Sequence, residues 1–571
     1  MPERKLSEAE RTTLLHFASL VTGVYGDSEK GKEVFLDKAG DLSADVPAGE
    51  LQKIWFEAAS KTSRTSETDQ TVTTEENHSL RPGDYSDIGQ ADAFLREYRD
   101  VILYTDATGF LRYNGAYWVE SEQAAVGIME DFLDRQLMEA VSQQEEQLEK
   151  LERFGLPRSI AEGAGRSFEK KLSGELLEEF RKFLDIREYY RFVLKRRDMK
   201  YVHAALEAAI PKIWHDVNEL DRDGFLLNTP DGTYDLKKGL QGRQDPKAGD
   251  YITKQTLFAP GEEGSVLWNN TVRETFMKDQ SLIDYVQQIV GLAAIGRVFF
   301  ESMIIAYGGG RNGKSTFWNS IARSLGSYSG VLSSDTLIVG TTRNAKPEMA
   351  ELKGKRLVIA SELDEGHRLN TGFVKQVCST DEIVAEKKYK APFRFVPSHM
   401  LVLYTNHLPK VSAMDDGTWR RLTVIPFQAK IGGDNEVKNY TEYLLEHAGP
   451  AIIAWIIEGA KKAIDLEFKF EMPAAVEAAI GSYRASNDWL SEFFEECCEI
   501  GPEFSEKSGR FYEEYRASCQ KKGEYIRSTA DFYAALENAG YQKIKNRQGM
   551  MILGVRLKER WERAEEGEIP F

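Results

Sequence analysis

Apolar and polar positions divide the chain into segments with different periodicities. Residues 1–60 carry apolar positions at helical spacing, as in LLHFASLVTGVY and LQKIWFEAA, and predict a small helical domain. Residues 61–87 are polar and almost free of large apolar side chains, which is typical of a linker. The pattern then becomes mixed, and a further domain is predicted from 88 to 255.

The domain at 88–255 is predicted to combine strands and helices. It opens with two β-rich runs around the turn DATG, in DVILYTDATGFLRYNGAYWV, which favours a hairpin. Long charged segments with helical spacing follow, and Pro-Asp-Gly in FLLNTPDGTYDLKKG marks a tight turn near the end. The stretch FAPGEEG, at 258–264, predicts a hinge into the next domain.

The second half of the chain predicts an α/β core and a smaller module. Strand and helix patterns alternate from 265 to 430, which indicates an α/β layer with a parallel sheet. Helical patterns continue over 431–484 and predict a helical lid on that core. Residues 485–560 have the order helix, helix, helix, hairpin, which is the order of a winged helix, and 561–571 form a polar tail.

Composition indicates a globular protein and restricts its partners. The chain has 571 residues, of which 42% are apolar and 29% charged. Its formal net charge is −17, so any contact with nucleic acid has to be local, in a groove or channel. No apolar run is long enough for a membrane helix, and the first residues lack the pattern of a signal peptide. A membrane partner is therefore not expected.

Cysteine and histidine patterns argue against a metal site built by the protein. The four cysteines include no CxxC pair, and the eight histidines include no HxxxH or HxH pair. Free cysteines without a disulfide framework are typical of a reducing cytoplasm.

A glycine-rich loop between a predicted strand and a predicted helix carries the strongest chemical signal. In MIIAYGGGRNGKSTFWNSIARSL, the spacing fits GxxxxGK[ST]. Glycines let backbone N–H groups turn toward phosphates, and the helix N-terminus adds positive potential. Lys314 is predicted to neutralise the β and γ phosphates, and Ser315 to ligate Mg²⁺. The predicted nucleotide-binding residues are Gly308, Gly309, Gly310, Arg311, Asn312, Gly313, Lys314, Ser315 and Thr316.

Three later stretches end in side chains suited to nucleotide hydrolysis. KRLVIASELDE predicts a strand that ends at Glu362, whose carboxylate can hold the Mg²⁺ shell and polarise water. MLVLYTN predicts a strand that ends at Asn406, whose amide can orient water. DDGTWRRLTVIPF places Arg420 and Arg421 before a strand, where an arginine can reach a neighbouring subunit's nucleotide. Each stretch alone also fits an acidic turn, a strand cap or a surface ion pair, and their combination carries the prediction.

The order of these residues resembles that of a superfamily 3 helicase, and in particular the phage and plasmid primase–helicase proteins of the P4/D5 type. The matching phrases are GGGRNGKSTF, LKGKRLVIASELDEG, YTNHLP and DDGTWRRLTVIPF. The resemblance implies an AAA+-like P-loop ATPase core that forms a ring, usually a homo-hexamer, and hydrolyses ATP to move along DNA. It also implies a D5-N-like domain at 88–255 and a winged-helix domain at 485–560.

The resemblance implies a role for each motif residue. Lys314 and Ser315 match the Walker A positions, Glu362 matches the Walker B acid that shares the Mg²⁺ with Ser315, and Asn406 matches the sensor.

Two roles stay open at this stage. Arg421 matches the arginine finger, with Arg420 as its rival, and Asp364 is a second candidate acid because Glu-Leu-Asp departs from adjacent paired acids.

A basic hairpin is predicted between the strands that lead to Glu362 and Asn406. In IVAEKKYKAPFRFVP, at 383–397, two β-like arms flank a tip with the candidate DNA-binding residues Lys387, Lys388, Tyr389 and Lys390. Lysines contact phosphates, and a tyrosine can stack on a base or sugar. In superfamily 3 proteins the corresponding hairpin projects into the channel of the ring and grips DNA. An exposed hairpin with solubilising lysines is the alternative.

These patterns together predict an ATP- and Mg²⁺-dependent DNA helicase for replication of a phage, plasmid or integrated mobile element, in the cytoplasm of a bacterial host cell. Its predicted partners are single-stranded or forked DNA, further copies of the chain, and a separate primase or other replication proteins. An origin-binding replication initiator and a nucleotide-switched assembly ATPase without unwinding activity are the alternatives. A primase site is not expected, because Asp221 and Asp223 have no partner motif nearby.

Overall fold

The chain forms two compact units. The computed structural model describes residues 79–340, 346–360, 362–411, 416–431, 438–522, 525–547 and 549–558, together with helical positions between 11 and 58. Unit 1 contains Met1–Asn114 and Trp118–Val217, and unit 2 contains Gly115–Tyr117 and Asn218–Phe571. The glycine-rich loop and the predicted basic hairpin both lie in unit 2.

Unit 1 combines long helices with a small antiparallel sheet, in the order α1 (Asp87–Tyr98), β1 (Ile102–Thr105), β2 (Gly109–Tyr113), β3 (Trp118–Glu120), α2 (Glu122–Arg153), α3 (Arg158–Gly163), α4 (Gly174–Arg196) and α5 (Met199–Ile213). β1 and β2 pair with Thr105 opposite Gly109, which confirms the hairpin predicted around DATG. α2 packs along α4, and α1 packs on α5.

Apolar positions of the first 60 residues pack onto the long helices of unit 1. Leu14, Phe35 and Trp55 share a hydrophobic cluster with Val141 of α2 and Tyr190 of α4. The predicted N-terminal helical segment therefore shares its apolar cluster with the rest of unit 1.

Of the linker predicted at 61–87, residues 61–78 lie outside the described residues. From 79 onward the chain is held by side chains of α2 and α4. The Leu80 N–H donates to Glu139 at 3.0 Å, and the Arg81 guanidinium pairs with Asp185 at 2.6 Å. These contacts tie the end of the predicted linker to unit 1.

Unit 2 begins with a small sheet and continues into an α/β core, with the elements β4 (Leu226–Thr229), β5 (Gly232–Asp235), β6 (Arg243–Gln244), α6 (Ser265–Thr275), α7 (Gln280–Leu292), β7 (Met303–Tyr307), α8 (Lys314–Ser324), β8 (Ser329–Leu332), α9 (Lys346–Ala350), β9 (Leu357–Ala360), α10 (Thr371–Val377), β10 (Ile383–Ala385), β11 (Phe393–Phe395), β12 (Met400–Thr405), α11 (Asp416–Trp419), β13 (Leu422–Pro426), α12 (Tyr440–Asp465) and α13 (Ala474–Ser486). Leu227 and Tyr234 lie in the same hydrophobic cluster as Ile304 and Trp318. Residues 218–255, which the sequence pattern assigns to the preceding domain, thus pack with the core.

A five-stranded parallel sheet forms the centre of unit 2. Its order is β13-β7-β12-β9-β8, and every neighbouring pair of strands is parallel. The strands read as continuous apolar runs because helices and loops cover both faces, as in β7 and β9, which are buried almost throughout. The predicted parallel α/β core is confirmed, and the residues that follow β7, β9 and β12 meet at one edge.

The segment predicted as a lid contributes to the core of unit 2. α12 packs on α7 and α8, and Ile452, Ile453, Ile456 and Ile457 on it are fully buried. Burial of this face accounts for the position of α12, since its apolar residues repeat at the helical period.

Residues 489–558, here called the C-terminal module, form three helices and one antiparallel sheet, in the order α14 (Trp489–Cys497), β14 (Cys498–Lys507), α15 (Ser508–Lys522), α16 (Thr529–Asn538), β15 (Lys543–Asn546) and β16 (Gly549–Leu557). The sheet has the order β14-β16-β15. The helices and the final hairpin follow the sequence pattern, whereas β14 is an additional strand. The predicted tail at 561–571 lies outside the described residues.

Candidate nucleotide site

The glycine-rich loop begins where β7 ends, at the carboxyl edge of the parallel sheet. It spans 308–313 and leads directly into α8, which begins at Lys314. Gly310 has a φ of 89° and Gly313 a φ of 80°, in the left-handed region that glycine adopts without a steric penalty. The first turn of α8 is thereby brought to the edge where ligands bind in open α/β sheets.

A side chain at Gly308 would not fit. A Cβ there would lie 2.1 Å from Nδ2 of Asn312 and 2.2 Å from the carbonyl oxygen of Phe427. Asn312 is 3% exposed, and its Nδ2 donates to the Phe427 carbonyl at 3.0 Å. Asn312 therefore ties the loop to the segment after β13, a role that the motif spacing does not reveal.

Lys314, Asn406 and Glu362 form a hydrogen-bonded row across the ends of the strands. Lys314 Nζ donates to Asn406 Oδ1 at 2.8 Å, and Asn406 Nδ2 donates to Glu362 Oε1 at 3.0 Å. The Lys314 ammonium also donates to the Gly308 carbonyl at 2.7 Å and to Asn312 Oδ1 at 3.0 Å. The fold thus brings together three predicted residues that are far apart in the chain.

Burial acts on the charge of Lys314. The side chain is only 6% exposed, and this desolvation holds the pKa of its ammonium below the usual lysine value, while the nearby Glu362 carboxylate acts in the opposite direction. An anionic ligand in this place would compensate the positive charge that burial penalises.

The row lines one side of a cleft of about 390 Å³. Its other walls come from segments without a recognisable motif, namely Thr271, Glu274 and Thr275 of α6, Ile431, and Tyr440 of α12. The Tyr440 hydroxyl and Thr271 Oγ1 lie 2.9 Å apart. Sequence spacing could not identify these residues, because α6 and α12 meet only through tertiary packing.

The donors of the loop fit a chain of phosphates. No described residue accepts a hydrogen bond from the backbone N–H of Arg311, Asn312 or Gly313. Ser315, in the first turn of α8, is exposed and lines the cleft together with Glu362. A hydroxyl and a carboxylate beside phosphate oxygens are the ligands that Mg²⁺ takes in such sites. In the described part of the chain, no group of three or more His, Cys, Asp or Glu side chains is placed to hold a metal ion.

The two candidate acids differ in position. Both are exposed, and the intervening Leu363 is 4% exposed. Glu362 lines the cleft and Asp364 does not. The geometry therefore brings Glu362 alone to the Lys314 row.

Arg420 and Arg421 lie at the opposite edge of the sheet from the cleft of their own chain. The carbonyl oxygen of Arg421 accepts a hydrogen bond from the Met303 N–H at 2.8 Å, at the amino end of β7. The glycine-rich loop follows the carboxyl end of this five-residue strand, about 13 Å away along the strand. At this separation, neither arginine is placed to act directly on the cleft of its own chain.

The two arginines also differ in their partners. Arg421 is half-buried and donates to Glu301 at 2.8 Å and to the Gly417 carbonyl at 3.0 Å. Arg420 is exposed, and its guanidinium has no ion-pair partner among the described residues. The nearby Asp416 pairs with Arg484 at 2.6 Å instead.

β10 and β11 form the predicted antiparallel hairpin, here called the core hairpin (383–395). Its base is fixed by the buried side chains Ile383, Ala385, Phe393 and Phe395. The Lys390 N–H donates to the Lys387 carbonyl at 3.1 Å and closes the tip. Tyr389 at the tip is 91% exposed and has a φ of 64°. Lys388 Nζ lies 5.0 Å from the centre of the Tyr389 ring.

Other polar groups singled out from the sequence have structural contacts. Asp221 accepts the N–H of Thr253 at 2.7 Å, and Asp223 accepts the N–H of Phe225 at 3.0 Å. The cysteines at 378, 497, 498 and 519 are free thiols in buried positions.

Within the described residues, we find no helix with the length and apolarity needed to span a bilayer.

Family models match two parts of the chain. Residues 91–277 match the family described as D5 N terminal like, which confirms the predicted resemblance to the D5-type family. Residues 306–421 match a family of unknown function, DUF5906, and this stretch includes the glycine-rich loop, Glu362 and Asn406.

Viral proteins named "Putative helicase" resemble parts of the chain. That of Acanthamoeba polyphaga mimivirus is 30% identical over 38% of this chain and 23% of its own length. That of Frog virus 3 (isolate Goorha) is 26% identical over 34% of this chain and 22% of its own length. That of Invertebrate iridescent virus 6 is 24% identical over 50% of this chain and 33% of its own length. The chain therefore spans about a fifth to a third of the length of these relatives.

A solved apo structure of the NrS-1 C terminal region also aligns with the chain. It covers 52% of this chain and 76% of that one, with 11% identity and a TM-score of 0.34.

Proposed function

We propose that this chain, which resembles the D5-type primase–helicase family, is an ATP- and Mg²⁺-dependent DNA helicase that acts as a ring in replication of a virus, plasmid or integrated element. One observation carries the proposal. The core hairpin is inserted between β9 and β12, the two strands whose carboxyl ends present Glu362 and Asn406 to Lys314. In this proposal, a change at the nucleotide edge reaches the basic, exposed tip through β12, the strand that follows the hairpin in the chain.

Within the cleft, the residues divide the work of hydrolysis. Lys314 and the backbone N–H groups of the loop would neutralise and orient phosphates, and Ser315 and Glu362 would hold a Mg²⁺ ion beside them. The Glu362 carboxylate polarises the attacking water, and the Asn406 amide fixes that carboxylate through its 3.0 Å hydrogen bond. Asp364 has no part in this arrangement, because it lies outside the cleft.

The conformation of Tyr389 supports a role in binding rather than in folding. The third residue of its turn, between Lys387 and Lys390, has positive φ, a position at which glycine or asparagine is usual. A tyrosine there costs about 1–2 kcal/mol of steric strain, and its ring gains little from packing because it is 91% exposed. A side chain kept in such a place is typical of a functional contact. Stacking on bases of single-stranded DNA suits it.

Arg420 is the better candidate for the arginine that completes a neighbour's site. Both arginines lie at the edge of the sheet away from their own cleft, so that either would act on an adjacent copy. Arg421 is already engaged with Glu301 and Gly417, whereas the Arg420 guanidinium is exposed. An arginine finger has to be free to reach transition-state charge. A ring of several copies, for which six is the expectation, supplies such an interface.

The C-terminal module has three helices and a three-stranded sheet, and we propose that it is a winged helix. In this proposal α16 has the position of the helix that enters the major groove in many DNA-binding domains, and the β15–β16 hairpin is the wing.

The test is steady-state ATP hydrolysis by the full chain with and without single-stranded DNA, together with unwinding of a forked duplex. We expect DNA-stimulated hydrolysis and strand separation, both abolished by Lys314→Ala. Hydrolysis that is indifferent to DNA, without unwinding, would favour a nucleotide-switched assembly ATPase. Local melting at one sequence without processive unwinding would favour an origin-binding initiator.

A further inference from the structure

The outer strand of the C-terminal module is basic and exposed along its whole length. Every residue of β15 is exposed, and the ten residues at 541–550 include Lys543, Lys545 and Arg547 but no acidic residue. This concentration stands out in a chain with a net charge of −17. Among the described residues, neither Lys545 nor Arg547 has an ion-pair partner.

Two of these basic residues share one face of the hairpin, and the third lies in its turn. Alternate residues of a strand point to the same face, so Lys543 and Lys545 lie on one face of β15. Lys543 Nζ lies 3.5 Å from the centre of the Tyr533 ring on α16, which identifies this face as the one beside α16. Lys543 is held by that contact, Lys545 lies beyond it along the strand, and Arg547 follows in the turn between β15 and β16.

α16 carries the opposite charge. Its sequence, TADFYAALEN, contains Asp531 and Glu537 and no lysine or arginine, and both acids are exposed. Phe532, Ala535 and Leu536 are its buried side, so its exposed side consists of small and acidic residues. A helix of this composition is repelled by phosphates and lacks the arginine, lysine or amide groups that read purine edges, apart from its terminal Asn538.

We infer that the C-terminal module binds the phosphate backbone of duplex DNA through the C-terminal hairpin (543–557), and that α16 does not enter the major groove. The inference deepens the proposed function, because it assigns the duplex ahead of a helicase to a site separate from the core hairpin. Backbone contacts carry no sequence information, so the binding is independent of base sequence and strongly dependent on salt. The site holds a duplex and does not select an origin.

The experiment measures binding of the full chain to a blunt 25-base-pair duplex by fluorescence anisotropy across a series of NaCl concentrations. A blunt duplex keeps the single-stranded contact of the core hairpin out of the measurement. Replacing Lys545 and Arg547 together by glutamine should weaken binding at least tenfold at 50 mM NaCl and lower the slope of log K against log salt by roughly 2, since each phosphate contact contributes about 0.9. The loss should be the same for duplexes of different sequence.

A matched control removes two charges from the same module. Lys507→Gln with Arg516→Gln, at exposed positions of β14 and α15, should leave affinity and slope unchanged. An unchanged slope in the Lys545/Arg547 variant, or equal effects of both double variants, would overturn the inference and leave the hairpin as a surface for an acidic protein.

Failure of the inference and failure of the proposed function give different results. DNA-stimulated ATPase in a chain whose duplex binding ignores Lys545 and Arg547 would reject the inference alone. Salt-dependent duplex binding through these residues, in a chain whose ATPase ignores DNA, would reject the helicase proposal alone.

Discussion

The core hairpin and the C-terminal hairpin present similar side chains on different foundations. The first carries three lysines and a tyrosine at its tip, and the second carries two lysines on one strand and an arginine in the turn that follows. The arms of the core hairpin have buried apolar side chains, and its ends continue toward the strands that carry the nucleotide residues. The outer strand of the C-terminal hairpin is exposed at every residue. Their composition is similar and their anchoring differs, so we expect hydrolysis to move the core hairpin and the C-terminal hairpin only to hold DNA.

The hydrophobic clusters beneath the hairpins support this distinction. The C-terminal hairpin rests through Ile552 and Val555 on a cluster formed within the C-terminal module, with Phe511 and Phe532. Among the described residues, this cluster contains none that lines the cleft, so a structural change at the cleft does not reach the hairpin directly through it. If the distinction holds, variants of the residues proposed to act in ATP hydrolysis will abolish unwinding by the core hairpin and leave duplex binding intact.

Arg420→Ala should reduce ATP hydrolysis more than any variant of either hairpin. ATP hydrolysis should fall about 10³-fold, because an arginine that completes a neighbour's site stabilises transition-state charge. Unwinding should be lost with it, and binding to blunt duplex should stay within twofold of the parent. Steady-state ATPase and the anisotropy assay measure both quantities on one preparation.

Mixing Arg420→Ala chains with Lys314→Ala chains tests whether Arg420 acts on the site of a neighbouring copy. Arg420→Ala chains keep Lys314, and Lys314→Ala chains keep Arg420, so a mixed assembly contains some intact sites and should recover part of the ATPase. No recovery would contradict action between copies. A full loss in Arg421→Ala, with normal melting and without recovery on mixing, would favour Arg421 in its place.

A smaller effect is expected from Lys388→Ala combined with Tyr389→Ala. Stimulation by single-stranded DNA and unwinding should each fall at least tenfold, because base stacking on one aromatic ring contributes about 1–3 kcal/mol. Basal ATPase should stay within twofold, since both residues lie away from the cleft. The Lys545/Arg547 glutamine variant is the matched comparison and should retain full stimulation by single-stranded DNA. An equal loss of basal ATPase in the core-hairpin variant would show that the tip acts on folding of the core.

The smallest effect concerns stability. Tyr389→Gly relieves the left-handed strain but adds flexibility to the unfolded chain, and the two terms nearly cancel. The melting temperature should therefore stay the same or rise by up to about 2 °C, while stimulation by DNA is lost. Tyr389→Phe keeps the ring and should retain the melting temperature of the parent chain and its stimulation by DNA. A clear drop in melting temperature for the glycine variant would assign Tyr389 a structural role.

Several features of the fold follow from local sequence. The periodicity of apolar residues predicted the parallel strands of the core, and the hairpins around 106–109 and 543–557 followed from turn residues between β-rich runs. The spacing of the glycine-rich loop predicted where a strand gives way to a helix, because Gly313 and the residues after it satisfy the backbone requirements locally. Signals of this kind act over a few residues and need no partner.

β14 was missed because its signal is not local. Its sequence, CEIGPEFSEK, contains Gly501 and Pro502, which disfavour a strand, and the pairing with β16 shifts register between Ile500 and Ser505. The strand exists because β16, some fifty residues later, supplies its hydrogen-bond partners. The packing of residues 218–255 and α12 against the core was not predictable for the same reason, since the sequence of an apolar face does not specify the surface on which it packs.

The residue types of the candidate site and the strands that carry them could be predicted from local sequence patterns. Tertiary structure alone joined Lys314 to Asn406 and Glu362, left Asp364 outside the cleft, and paired Arg421 with Glu301 while Arg420 stayed exposed. It also added α6 and α12 to the walls of the cleft. The physical reason is that a motif fixes the chemistry of a few adjacent residues, whereas distances between side chains depend on how strands and helices from distant parts of the chain pack together.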